Sequence, residues 1–387
     1  MKSGWTIKKL GEVCEEVKDR ISSAEVVLSA YITTDNMLKD CAGVCEAENL
    51  PPRVTSLVKY RKGDILLSNI RPYLKKVWLS DRDGAASSDV IVFRVCSKEI
   101  YLRYFWRALA RDEFFDYSML NVSGTKMPRG KKEWIKQFEI PVPPLAEQKR
   151  IVAKIDAAFE KINKLKANAE RNLANAKELF QSALEEAMRP KKGWVEKRLG
   201  EVGKATTGIT PSTRNKENFG EYVPFVKPGD ITPFEPIAFR KEGLSQKGVE
   251  ESRLIIRGST LMVCIGASIG KTGYANKDCT CNQQINALTP GDMVDGRFLY
   301  YLLSSEKFKS KVIAEAGQAT LPIISKSKWE CLAISLPTVI AEQRQIVKRL
   351  DILAGKTNLL KQHYTQQIAD CAEMRQSVLR EAFEGRL

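Results

Sequence analysis

The sequence predicts an α+β protein: two globular domains of mixed α/β character separated by two long antiparallel coiled-coil helices, the halves related as a pseudo-two-fold repeat. Three observations carry that expectation. Ala146-Glu147-Gln148 returns as Ala341-Glu342-Gln343, an offset of 195 residues from Glu147 to Glu342. Beyond it, Ile151, Ile155, Ala158, Ile162, Leu165, Ala169, Ala176, Leu179 and Ala183 map onto Ile346, Leu350, Leu353, Thr357, Leu360, Tyr364, Cys371, Met374 and Val378. Steps of four and three keep an apolar seam on one side of a long helix. The beginnings match too, because Gly4-Trp5 before Leu10-Gly11-Glu12-Val13 recurs as Gly193-Trp194 before Leu199-Gly200-Glu201-Val202.

Residues 1–144 form the first globular domain. Short β-branched and aromatic runs, Asp64-Ile65-Leu66-Leu67 and Asp89-Val90-Ile91-Val92-Phe93, predict strands. Tyr101 to Leu120, with Leu102, Phe105, Trp106, Leu109 and Phe114 at helical spacing, predicts one helix. Pro141-Val142-Pro143-Pro144 ends the last strand, since proline cannot donate to a ladder but tolerates a helix start. The first long helix, 145–188, would run about 66 Å at 1.5 Å per residue. Pro190 stops it, 189–336 form the second domain, and 337–387 the second long helix. A helix with one apolar seam needs a mate, and the equal helix in the same chain supplies it. Because the chain must return, antiparallel pairing is expected, with a domain at each end of a rod and Leu387 brought back toward the first domain.

Lys and Arg exceed Asp and Glu, for a net charge of +15 and a pI near 9.3. That excess points to a polyanion such as double-stranded DNA. The start of the chain, Met1-Lys2-Ser3-Gly4-Trp5, has no apolar signal core, and no run approaches the roughly 20 apolar residues of a membrane span, so a cytoplasmic protein with no membrane partner is expected. The nine cysteines include no Cys-x-x-Cys pair, and His363 is the sole histidine, so the cysteines are read as reduced core residues and no metal or cofactor is expected.

Gly266-Ala267-Ser268-Ile269-Gly270-Lys271-Thr272 imitates a phosphate-binding loop, but it has three residues between its glycines where the pattern needs four. No nuclease or methyltransferase constellation is found, and the chain is expected to be non-catalytic. Two other readings compete with DNA recognition: a coiled-coil scaffold binding nucleic acid without sequence preference, and a nucleotide-dependent enzyme built on the Gly266 loop. Against the scaffold stands the contrast between like helices and unlike domains.

Two variable domains, each running through Pro143-Pro144-Leu145-Ala146-Glu147-Gln148 or Pro337 to Gln343 into a heptad helix, resemble the specificity subunit of a type I restriction-modification system over essentially the whole chain. The second helix entry has one residue more than the stretch Pro143 to Ala146. Ile265-Gly266, Ile269-Gly270-Lys271 and Asn282-Gln283-Gln284 add to the likeness. The resemblance implies that each domain is a target recognition domain reading one block of a split DNA site. It also implies that the helices set the spacing and dock two modification methyltransferase subunits, which recruit the restriction and translocase subunits.

Base reading needs hydrogen-bonding side chains on loops, Arg favouring guanine and Asn or Gln adenine. In the first domain the candidates are Lys59, Arg61, Asn69, Arg71, Tyr73, Lys75, Ser88, Lys126 and Arg129. In the second they are Lys227, Ser268, Lys271, Asn282, Gln283, Gln284 and Gln318. For any one of them the alternative is a solvated loop side chain or a structural turn, and Gln283-Gln284 has the further alternative of supporting the fold.

Overall fold

Period-two alternation in the central strands builds two cores, one on each face of a sheet. In the computed structural model, which describes residues 4–50, 54–317 and 321–387, the first unit holds a four-stranded antiparallel sheet. Its order is Cys14–Glu16, Val90–Val95, Ile65–Ser68, Val77–Leu79. Ile65, Leu67, Ile91 and Phe93 face a large core that includes Phe105, Phe114 and both long helices. Leu66, Val90 and Val92 face the other way, onto Trp78 and Tyr60. A strand buried on both faces reads as a continuous apolar run, which is why Val90 through Phe93 shows no polar member.

The second unit repeats this sheet with Gly203–Thr207, Ile285–Pro290, Thr260–Val263 and Thr272–Tyr274 in the same order. Even the register returns at the helix offset: Ile65 opposite Phe93 becomes Thr260 opposite Leu288, and Ile65 opposite Leu79 becomes Thr260 opposite Tyr274. The remaining four-stranded sheets differ. One runs Arg20–Ser22, Ser56–Tyr60, Gly84–Ala86, Tyr31–Ile32; the other runs Phe219–Gly220, Gly243–Leu244, Val223–Val226, Thr280–Cys281. Divergence is thus concentrated outside the shared sheet.

The long helices span Leu145–Ala187 and Ile340–Phe383. The compact units are Met1–Ala169 with Gln366–Leu387, and Glu170–Thr365. In the first unit the helices are antiparallel: Arg150 donates to the carbonyl of Leu387 at 2.8 Å and Arg375 to Asn163 at 2.8 Å. Leu387 therefore does return to the first domain. In the second unit Phe180, Leu184 and Met188 share a core with Ile346 and Leu350.

Two expectations about the helices need correction. Tyr101 to Leu120 is two helices, Leu102–Leu109 and Asp112–Met119. Arg111 is extended between them, and Gln376 of the second long helix fills the break, accepting from the Asp112 N–H and donating to the Ala110 carbonyl. Only the packed helix supplies that partner. The seam is also narrower than heptad spacing suggests, for Leu165, Leu179, Leu360 and Met374 are exposed. In the cores lie instead Phe159, Phe180 and Leu184, each one position past the seam residues Ala158, Leu179 and Ala183, because each helix packs on its own domain as well as on its mate.

The cysteines divide in the same way. Cys14, Cys264, Cys279, Cys281 and Cys371 are buried, whereas Cys45, Cys96 and Cys331 are exposed and are not core residues. All nine are free thiols. Burial pushes the thiols of Cys264 and Cys279 up to about 12. At pH 8 a thiol-exchange reagent should label Cys45, Cys96 and Cys331 within minutes and Cys14, Cys264, Cys279 and Cys281 only after unfolding; rapid labelling of Cys279 in the native protein would contradict this burial.

Candidate nucleic-acid interface

The strand Ile65–Ser68 ends in a loop that three segments close. Asn69 N–H donates to the Asp89 carbonyl, Arg71 N–H to the Pro128 carbonyl at 2.7 Å, and Gly130 N–H to the Asn69 carbonyl. Ile70 forms an isolated bridge with Arg129. The structure thereby gathers Asn69, Arg71, Tyr73, Lys75, Ser88, Lys126 and Arg129 in one loop cluster. Arg61 is not among them: its N–H caps Asp64 before the same strand begins, a strand length of roughly 13 Å away. Lys59 is exposed in the strand Ser56–Tyr60.

Within the cluster the cations are not equivalent. Lys75 reaches Asp112 at 2.6 Å and Arg129 reaches Asp89 at 3.0 Å. Lys76 is half-buried and donates to the Thr34 carbonyl; burial first, then the nearby charges of Lys39 and Arg71, holds its ammonium below its usual range. Tyr73 and Lys126 are exposed, as is Ser88. Asn69 Oδ1 is buried with no partner among the described residues, and Gly130 leaves room beside it, since a Cβ there would lie 3.2 Å from that oxygen. Asp112 is a participant the sequence reading missed; 37 residues from Lys75, it carries no local signal.

The second unit builds the same frame from different side chains. Ile265 bridges Ile323, and Gly266 N–H donates to the Pro322 carbonyl at 2.9 Å. Two positions are left-handed in both units: Arg71 (φ 52°) matches Gly266 (φ 88°), and Lys75 (φ 52°) matches Gly270 (φ 84°). Lys271 occupies the place of Lys76, because Val263 N–H donates to its carbonyl as Ser68 N–H does to that of Lys76. Where the first unit carries Arg129, the second exposes Ile323, with Leu321 nearby in sequence and equally open.

Asn282 and Gln284 are tied to each other, Asn282 Nδ2 donating to Gln284 Oε1 at 2.9 Å and Gln284 N–H to Asn282 Oδ1 at 3.2 Å. The Gln284 carbonyl also accepts from Cys264 N–H. These two residues shape the turn. Gln283 is exposed and accepts from the Thr210 hydroxyl at 2.6 Å. Lys227 adjoins them, since Asn282 N–H donates to the Val226 carbonyl; Ser268 is half-buried in its turn, its carbonyl accepting from Lys271 N–H. Gln318 lies outside the described residues. The Gly266 loop joins two antiparallel strands, so no helix N-terminus follows it and its phosphate-loop resemblance ends there.

The helix-entry glutamines are structural. Gln148 and Gln343 are fully buried, each accepting one backbone N–H (Tyr101, Asp295) and donating to two carbonyls (Glu99 and Pro143, Met293 and Pro337). Among the described residues no His, Cys, Asp and Glu group could hold a metal ion, and no helix is long and apolar enough to cross a membrane.

A family model described as the type I restriction modification DNA specificity domain matches residues 2–173 and again 191–369. The specificity subunits of the MjaIX enzyme of Methanocaldococcus jannaschii and the HindI enzyme of Haemophilus influenzae are 30% and 32% identical over 161 residues, 40% of this chain. The chain spans about a third of the length of those two relatives, 36% and 35%. A putative MjaX specificity subunit from the same Methanocaldococcus is 24% identical over 89% of this chain and 86% of its own length. A solved chain from work on complex assembly and conformational transition of the type I R-M system superposes with a TM-score of 0.80 at 25% identity, covering 100% of this chain and 99% of that one. The HsdS subunit from Thermoanaerobacter tengcongensis shares the fold, with a TM-score of 0.53 at 24% identity, covering 100% of this chain and 98% of its own.

Proposed function

Since the chain belongs to the type I restriction modification DNA specificity family, matched in both halves, we propose that it is the non-catalytic subunit that reads a bipartite, asymmetric DNA site for a cytoplasmic methyltransferase and endonuclease complex. One observation carries this reading. Two loop clusters share a hydrogen-bonded frame while the side chains they present differ: Arg71 against Gly266, Tyr73 against Ser268, Arg129 against Ile323. A surface binding only phosphates would have no use for that difference, whereas two readers of unlike base sequences require it.

Partners follow from the helices. Leu165 and Leu360, and Leu179 and Met374, are pairs of equivalent exposed apolar positions at the same offset on the two helices. They suit two copies of one partner, and two modification methyltransferase subunits, with restriction and translocase subunits recruited through them, are the proposed occupants. No cofactor is proposed for the chain itself.

Each long helix is continuous from one unit into the other, so its length should set the gap between the two DNA blocks. Inserting four residues near Lys166 and near Lys361 adds about 6 Å to each helix and should lengthen the unread gap by about two base pairs. Both blocks should stay intact. Methylation mapping by single-molecule sequencing decides the matter: an unchanged gap refutes the spacer, and altered blocks assign base reading to the helices. Gel-shift competition between random and site-bearing duplexes separates recognition from the scaffold alternative, which predicts equal competition.

A further inference from the structure

Arg71 holds a backbone conformation that suits glycine, and the equivalent position in the other unit is a glycine. Its φ and ψ are 52° and 63°, squarely left-handed, where the Cβ of an L-residue crowds its own carbonyl. Gly266 takes the same place with φ 88°, in the same frame of one donated N–H to a proline carbonyl and one isolated bridge at the residue before. The turn therefore folds without a side chain here. A strained non-glycine residue persists where something else requires its side chain.

The fold does not supply that requirement. Lys75, the other left-handed residue of this loop, is held by Asp112. Arg129 across the bridge is held by Asp89. Arg71 is exposed, and among the described residues its guanidinium makes no hydrogen bond and no ion pair. Pro72, itself buried, follows it and fixes the next φ, so the base of the side chain is held while its tip is open. A rigidly based, unneutralised guanidinium is preorganised for an external acceptor.

Resting on the DNA-reading function proposed above, we infer that Arg71 is a specificity-determining residue: its guanidinium donates two hydrogen bonds to the O6 and N7 acceptors of one guanine in the block read by the first unit. Guanine is favoured over phosphate by the comparison of the units. Both units must hold a phosphate backbone, so a backbone contact is needed in each, yet the second has no side chain at this position. Any exposed lysine on an open turn, Lys126 for example, serves a phosphate without left-handed strain. A planar fork of fixed origin matches the major-groove edge of guanine, and lysine cannot reproduce its bidentate geometry.

The test uses the full chain purified with its co-expressed modification subunits and a pool of DNA duplexes randomised over the recognised region. With the unaltered chain, one position of the first block should select G·C. Arg71→Gly should relax that position about tenfold to a hundredfold, leave the second block unchanged, and give a melting temperature equal to or above that of the unaltered chain, because the loop adopts glycine's own conformation. Arg71→Lys should relax the same position while keeping the charge. A first block indifferent to Arg71→Gly overturns the inference. So does a uniform loss of affinity across all sequences, the mark of a phosphate contact. Selection of no sequence at all by the unaltered chain overturns the DNA-reading function itself, a result distinct from either of these.

Discussion

Gln148→Leu is expected to destabilise the first unit by about 3–5 kcal/mol, an effect large enough to cost a marginal domain its fold near physiological temperature. Gln148 is fully buried and serves three backbone groups at 2.7 to 2.8 Å. Leucine fills much of the volume and pairs with none of them, so the Pro143 carbonyl loses its partner in a buried place and the Tyr101 N–H and Glu99 carbonyl lose theirs in partly buried ones, at roughly 1–3 kcal/mol for a group left unpaired. Glutamate restores an acceptor for Tyr101 but has no amide to donate, and it buries a charge; it should not rescue. Gln343→Leu removes the corresponding bonds to Asp295, Met293 and Pro337 and should act similarly on the second unit. Denaturant titration followed by tryptophan fluorescence measures both, and a loss below about 1 kcal/mol would show that the glutamine does not clamp the helix entry.

Asp156→Ala should cost about 3 kcal/mol for a related reason with the opposite chemistry. Asp156, on the first long helix, accepts from Arg107 at 2.7 Å and Arg103 at 2.9 Å, both on the helix Leu102–Leu109. Arg107 is buried, stacked over Trp106 and Phe159, and removal of its carboxylate leaves a desolvated cation. Restoration is the sharper test. Asp156→Ala combined with Arg107→Met removes both charges and should recover most of the loss, because an apolar side chain of similar length suits that surround better than an unpaired guanidinium. If the double substitution is no more stable than Asp156→Ala alone, the cost lies in something other than the unpaired charge. The second unit keeps the carboxylate as Asp351 but meets it with Arg297 and the Tyr301 hydroxyl. The domain-to-helix tie is thus conserved in position and changed in partner.

How far the sequence could be read differed from element to element. Ala146-Glu147-Gln148 and its copy located both helix starts, because a motif that clamps a helix entry needs the same short-range geometry wherever it occurs. The seam at Leu165 and Leu179 was misassigned, since heptad spacing specifies which residues share a face and not how wide a stripe the neighbours cover. The break at Arg111 had no local signal. It depends on Gln376, 265 positions away in the chain, reaching into the gap.

For the candidate interface, residue type and loop context point to Asn69, Arg71, Tyr73, Ser88 and Arg129, and the fold brings them together through backbone bonds among three separate segments. Residue type could not distinguish Lys75 and Arg129, both neutralised, from Arg71, which is not. Nor could it reveal that Asn282 and Gln284 bond to each other rather than outward.

By itself, then, the sequence determined the repeat, the two long helices, two central strands of the first unit's sheet and the net positive charge of the chain, because periodicity, proline placement and net charge act locally or simply add. Tertiary structure alone decided which basic side chains remain unpaired, which apolar positions stay exposed, and where left-handed strain falls. Those properties depend on what packs against a residue from a distant part of the chain, and burial, ion pairing and backbone conformation are settled only when that partner arrives.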